Sequence, residues 1–177
     1  MKISDPQYEV LKEWVHNYID TKCIVRNTEM PGKLPGSTYT WMFYLRKGLF
    51  NHQFLINISQ MFIYHMERLD PKFNFQLTGL ETAATPMLAA IPMVGSVMGV
   101  DINAFVVRNS SRSMAQCLNT LTIENIPVAN VAFSIVNKSN KDVHNKTRLV
   151  GDMYLPKEIK VISLFDLDDF DLNNPSH

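Results

Sequence analysis

At 177 residues the chain is long enough for one well-buried domain and short of two typical ones. A hydrophobic share of 46% with 19% charged residues excludes a disordered chain, and 17 basic against 17 acidic residues exclude the basic excess of a nucleic-acid surface. No basic segment leads into an apolar run, so no signal peptide is expected, and the most apolar stretch, 83–100, is interrupted by prolines, glycines and hydroxyls, which argues against a membrane span.

Ser4-Asp5-Pro6 supplies a cap, an acid for the helix dipole and a first-turn proline. Tyr8, Leu11, Trp14, Val15, Tyr18 and Ile19 then recur at helical spacing, and Asp20-Thr21-Lys22 closes the helix. Cys23–Arg26 reads as a short strand, and 27–37, with Pro31-Gly32 and Pro35-Gly36, as a loop or a wide hairpin. Cys23 and Cys117 lack paired spacing and are expected to be free buried thiols in a reducing cytoplasm. Thr38–Tyr44, β-branched and aromatic, reads as a strand. A helix follows from about Asn51 to Leu69, burying Phe54, Leu55, Ile58, Met61, Phe62, Met66 and Leu69, and Asp70-Pro71 ends it.

Phe73–Thr78 is the next strand, with Gly79 as its turn. A third helix opens at Pro86, and Pro92 inside it predicts a kink or break near Thr85–Ile91. Ile102–Val107 has the uninterrupted apolar character of a central parallel strand. A serine-rich loop, Asn109–Ser113, precedes a fourth helix with Met114, Cys117, Leu118 and Leu121 on its core face. Val128–Val136 and Lys160–Phe165 are strands, 137–150 a loop or hairpin, and Asp166–Asp171 an acidic tail pinned by Leu167, Phe170 and Leu172. His16, His52, His65, His144 and His177 lack metal-ligand spacing, so no zinc site is expected.

This alternation predicts a single α/β domain: a twisted, mostly parallel sheet flanked by helices (38–165), a small N-terminal hood (1–37) and the tail (166–177). Two successive strand-to-helix turns would then share one sheet edge, where open α/β folds bind ligands and helix N-termini attract anions.

Gly79-Leu-Glu-Thr-Ala-Ala-Thr-Pro86, a helix, and then Ala104-Phe-Val-Val-Arg108 resemble the pyrophosphate-loop region of the type I phosphoribosyltransferases, with the nearest likeness to orotate phosphoribosyltransferases and their phage-encoded relatives. The resemblance spans about residues 38 to 137. It implies transfer of 5-phosphoribosyl from phosphoribosyl pyrophosphate to a pyrimidine base such as orotate, with Mg²⁺, in a homodimer without nucleic-acid or membrane partners. Gly79, Leu80, Glu81, Thr82, Ala83 and Arg108 would hold pyrophosphate, and Asn109, Ser110, Ser111, Arg112 and Ser113 the 5′-phosphate. Phe43 and Arg46 are candidates for the base, with Trp41 and Tyr44 as further stacking surfaces.

The chain departs from the family in three places. Ala83 stands where many relatives have lysine, the phosphate loop has no glycine, and Val107-Arg108 precede it in place of two acids. Arg108 abuts Asn109 as though a mobile loop, a core strand and the acidic pair had been removed. A natural internal deletion, an engineered one and residues omitted from the sequence all stay open. A catalytically inactive nucleotide- or phosphate-binding module on the same fold is the alternative.

Overall fold

The structure, a computed structural model, describes residues 2–31, 38–74, 76–80, 84–107, 131–137 and 160–172. Helix α1 spans Asp5–Tyr18 and is capped by Ser4, whose backbone N–H donates to Gln7 Oε1 at 2.9 Å. It does not stop at Asp20 but continues into a π-helical turn, Ile19–Cys23, whose Ile19 and Cys23 are fully buried. Trp14 is turned partly outward, 37% exposed, and stacks on Tyr18.

Strand β1 (Ile24–Pro31) pairs antiparallel with β2 (Thr38–Phe43), so the strand expected over Cys23–Arg26 is longer and the wide hairpin is the form adopted. A short helix α2 (Arg46–Leu49) follows, too brief for apolar periodicity to have shown it. Helix α3 (His52–Leu69) is capped by Asn51, whose side-chain oxygen accepts the Phe54 N–H at 2.9 Å. Phe54, Ile58, Met61, Phe62 and Met66 are buried as expected; Ile63 joins them, while Leu69, in the last turn, is 42% exposed.

Strand β3 is Gln76–Leu80, shifted from the expected 73–78, because Phe73 lies in a turn with φ 52°. Helix α4 (Thr85–Met98) runs unbroken through Pro92, so the expected break is absent. Its buried side, Met87, Leu88, Ile91, Gly95 and Met98, packs on α3 and the sheet, and this packing keeps the helix continuous despite the missing N–H. Gly99 (φ 79°) terminates it.

Strands β4 (Asn103–Val107), β5 (Val131–Asn137) and β6 (Lys160–Asp166) complete the described elements. β3 pairs with β4 and β5 with β6, both parallel, which makes the fold α/β. One hydrophobic cluster joins α1, α3, α4 and β6, with Phe62 of α3 edge-on to Phe133 of β5 at 5.2 Å. After β6, a 3-10 turn (Leu167–Asp169) leads to buried Phe170, as expected for a tail pinned by apolar residues.

Candidate functional site

The register of the β3–β4 pair fixes the geometry that matters most. Gln76 lies opposite Asn103 and Leu80 opposite Val107, so the two parallel strands end flush at one edge. From Leu80 at that edge the chain passes within four residues to Ala84 and α4, and Val107 is the last described residue of β4. Helix α4 therefore presents its N-terminus to this edge, where unpaired N–H groups and the helix dipole favour an anion.

Gly79 is one residue from the end of β3. A Cβ added to it would lie 2.5 Å from Ala84 Cβ and 3.4 Å from Leu88 Cδ1. The glycine was expected to supply backbone freedom for a turn. It instead sits within the strand without a left-handed φ, and its role is steric: it lets the start of α4 close against the strand. Alternation along β3 sends Thr78 to the opposite face. Its Oγ1 is buried with no hydrogen-bond partner among the described residues, and no sequence signal distinguished it.

Helix α3 runs into β3 through the turn at Asp70–Phe73 and packs against α4. The C-terminal parts of both helices, Glu67 and Met98, line one crevice. Their N-terminal ends, with α2 and Thr85, thus lie toward the end where β3 and β4 stop. Arg46, in the first turn of α2, is exposed. Phe43, half-buried at the end of β2, is edge-on to Phe170 at 6.2 Å. Tyr44 is 43% exposed and Trp41 half-buried.

Of the residues expected to hold pyrophosphate, Gly79 and Leu80 are the last two residues of β3; Glu81, Thr82, Ala83 and Arg108 lie outside the described residues. The expected 5′-phosphate loop, Asn109, Ser110, Ser111, Arg112 and Ser113, and the helix with Met114 lie outside them too, as does Cys117. Cys23 is fully buried, and burial pushes its thiol up from the ordinary range. Among the described residues no three histidine, cysteine or carboxylate side chains converge as metal ligands, and no helix is long and apolar enough to cross a membrane.

No family model and no curated protein matches the sequence. Solved structures do. The chain is similar to orotate phosphoribosyltransferase of Mycobacterium tuberculosis H37Rv, crystallised with Fe(III) dicitrate (TM-score 0.63, 15% identity, 90% of this chain and 98% of that one). It is also similar to orotate phosphoribosyltransferase of Francisella tularensis (0.60, 14%, 88% and 86%). A phosphoribosyltransferase of Corynebacterium diphtheriae gives 0.58 at 13% identity over 90% and 98%. The chain thus has the type I phosphoribosyltransferase fold.

Proposed function

We propose that the chain is a phosphoribosyltransferase of the orotate type, moving 5-phosphoribosyl from phosphoribosyl pyrophosphate to a pyrimidine base. The observation that carries this reading is the flush end of β3 and β4 together with the Gly79–Ala84 approach. Two parallel strands end at one edge and a helix opens beside it, and that arrangement suits a phosphate-bearing ligand. The fold shared with orotate phosphoribosyltransferases is consistent with it.

The chemistry asks little covalent work of the protein. The bond from the ribose anomeric carbon to pyrophosphate breaks through an oxocarbenium-like state while a base nitrogen attacks. Backbone N–H groups of 79–83 would orient the leaving pyrophosphate, with Arg108 adding charge. Hydroxyls of Ser110, Ser111 and Ser113, with Asn109 and Arg112, would hold the 5′-phosphate. Phe43 and Arg46 would meet the base. The described end of the β3–β4 pair, Gly79–Leu80 and Val106–Val107, offers backbone amides and no carboxylate, so in this reading Mg²⁺ would enter with the pyrophosphate of the substrate. A homodimer belongs to it as well.

The direct join of Arg108 to Asn109 favours a second reading, a phosphate- or nucleotide-binding module without turnover, because lid and acids would both be missing. Thermal unfolding with phosphoribosyl pyrophosphate and Mg²⁺ tests the shared part: both readings expect a rise in Tm that Ser111→Ala or Arg112→Ala abolishes. An unchanged Tm, or a rise that both variants keep, removes the loop assignment. Turnover with orotate then separates enzyme from binder.

A further inference from the structure

The opposite end of the β3–β4 pair carries a second crevice, of about 350 Å³, between the last turns of α3 and α4. Its apolar wall is Ile63, Pro71, Phe73, Met98 and Val100; its charged groups are Lys2, Glu67, Lys72 and Asp101. Both left-handed backbone positions among the described residues, Phe73 (φ 52°) and Gly99 (φ 79°), are on this wall. For phenylalanine that conformation is unfavourable, and it persists only where neighbours enforce it. Here Asp70 does so. Its carboxylate accepts the Lys72 N–H at 2.9 Å and the Asn74 N–H at 3.0 Å, and its carbonyl accepts the Phe73 N–H at 3.0 Å. The wall is therefore a preformed surface.

The charges say what it suits. Glu67 already holds an ammonium, Lys2 Nζ at 2.6 Å. Asp101 and Lys72 are exposed, and among the described residues neither makes an ion pair or a side-chain hydrogen bond, although, after the Lys72 and Asn74 N–H groups, the Lys72 charge helps hold the Asp70 carboxyl below its ordinary range. The lining thus balances two ammonium groups against two carboxylates. A ligand with one charge would meet its like as well as its opposite. A small dipolar ion with an apolar body meets Asp101 with its ammonium, Lys72 with its carboxylate and the Ile63–Phe73–Val100 wall with its side chain. The volume lies at the lower end of the range of small-molecule sites. We propose that this crevice binds an α-amino acid with an apolar side chain.

The proposal is independent of the phosphate edge, and its test uses the full chain. Titration calorimetry with L-leucine should show saturable binding with Kd below roughly 1 mM. The carboxylate-only 4-methylpentanoate and the ammonium-only 3-methylbutylamine should each bind at least about tenfold more weakly, and Lys72→Met and Asp101→Asn should each lose about tenfold. Both side chains are exposed, so the ligand-free Tm of the variants should match the parent and any loss belongs to the site. No saturable binding of leucine at about 10 mM, equal binding of either analogue, or full retention in both variants overturns the proposal.

Discussion

Gly79 sets how closely the start of α4 approaches β3, because a methyl group there would overlap Ala84. Gly79→Ala should cost about 1–3 kcal/mol in denaturant unfolding, and adding Ala84→Gly should recover most of the loss. An additive double variant would show that the contact is not the cause. Two other residues carry the reverse expectation. Ser59 Oγ and Thr78 Oγ1 are buried without hydrogen-bond partners among the described residues. Thr78→Val and Ser59→Ala should therefore stabilise, each by about 1 kcal/mol, since each removes a desolvated hydroxyl that bonds nothing. Chemical denaturation of the single variants checks both.

The docking of α1 on α3 rests on a polar and aromatic seam. The Tyr8 hydroxyl and His65 Nε2 share a hydrogen bond of 2.9 Å, and Tyr8 stacks on Tyr64 at 4.2 Å. Arg68 lies 3.3 Å over the Tyr64 ring and pairs with Asp5, which also accepts the Tyr64 hydroxyl at 3.0 Å. Burial, then the cations Arg68 and Lys12, hold His65 below its ordinary pKa of 6.5. The unfolded chain thus binds the proton more readily, and the stability that neutral His65 contributes is present above pH 6.5 and lost as pH falls through the lower folded value. Burial pushes Tyr8 up to about 12, so a second loss should begin above pH 10 as the unfolded phenol ionises first. Unfolding measured across pH should show the acid limb flattened in His65→Gln; an unchanged acid limb would place the effect elsewhere.

For the whole molecule, the C-terminal segment is a tie between layers. His16 of α1 stacks on Phe170 at 4.7 Å, and its Nε2 lies 2.8 Å from the Asp169 carbonyl. Arg26 of β1 donates to the Asp171 carbonyl at 2.8 Å, to the Asp20 carbonyl at 2.8 Å and to the Asp20 carboxylate. Arg26→Ala should cost about 2 kcal/mol and expose the chain around Phe170 to limited proteolysis, because charge-assisted bonds at a largely buried guanidinium would be lost together. Phe54, fully buried between Tyr18 and Gly48, ties α1, α2 and α3 at the opposite corner of the core. Phe54→Ala should cost about 3–5 kcal/mol by the same unfolding measurement.

Much of this was legible in local sequence. Ser4 as a cap, the start of α3 near Asn51 with its apolar stripe, and the strand over 160–165 depend on neighbours within a turn or a pleat, and residue order alone determines them. The α/β class followed from their alternation. What order could not contain was contact between distant segments. Pro92 reads as a breaker, but packing against α3 and the sheet keeps α4 whole. Gly79 reads as a turn, but Ala84 makes it a clearance. The left-handed Phe73 and the crevice it walls exist because Asp70 bonds back on the turn and two helices end beside it. Periodicity records which side of an element is apolar; what that side meets is decided only when the chain has closed on itself.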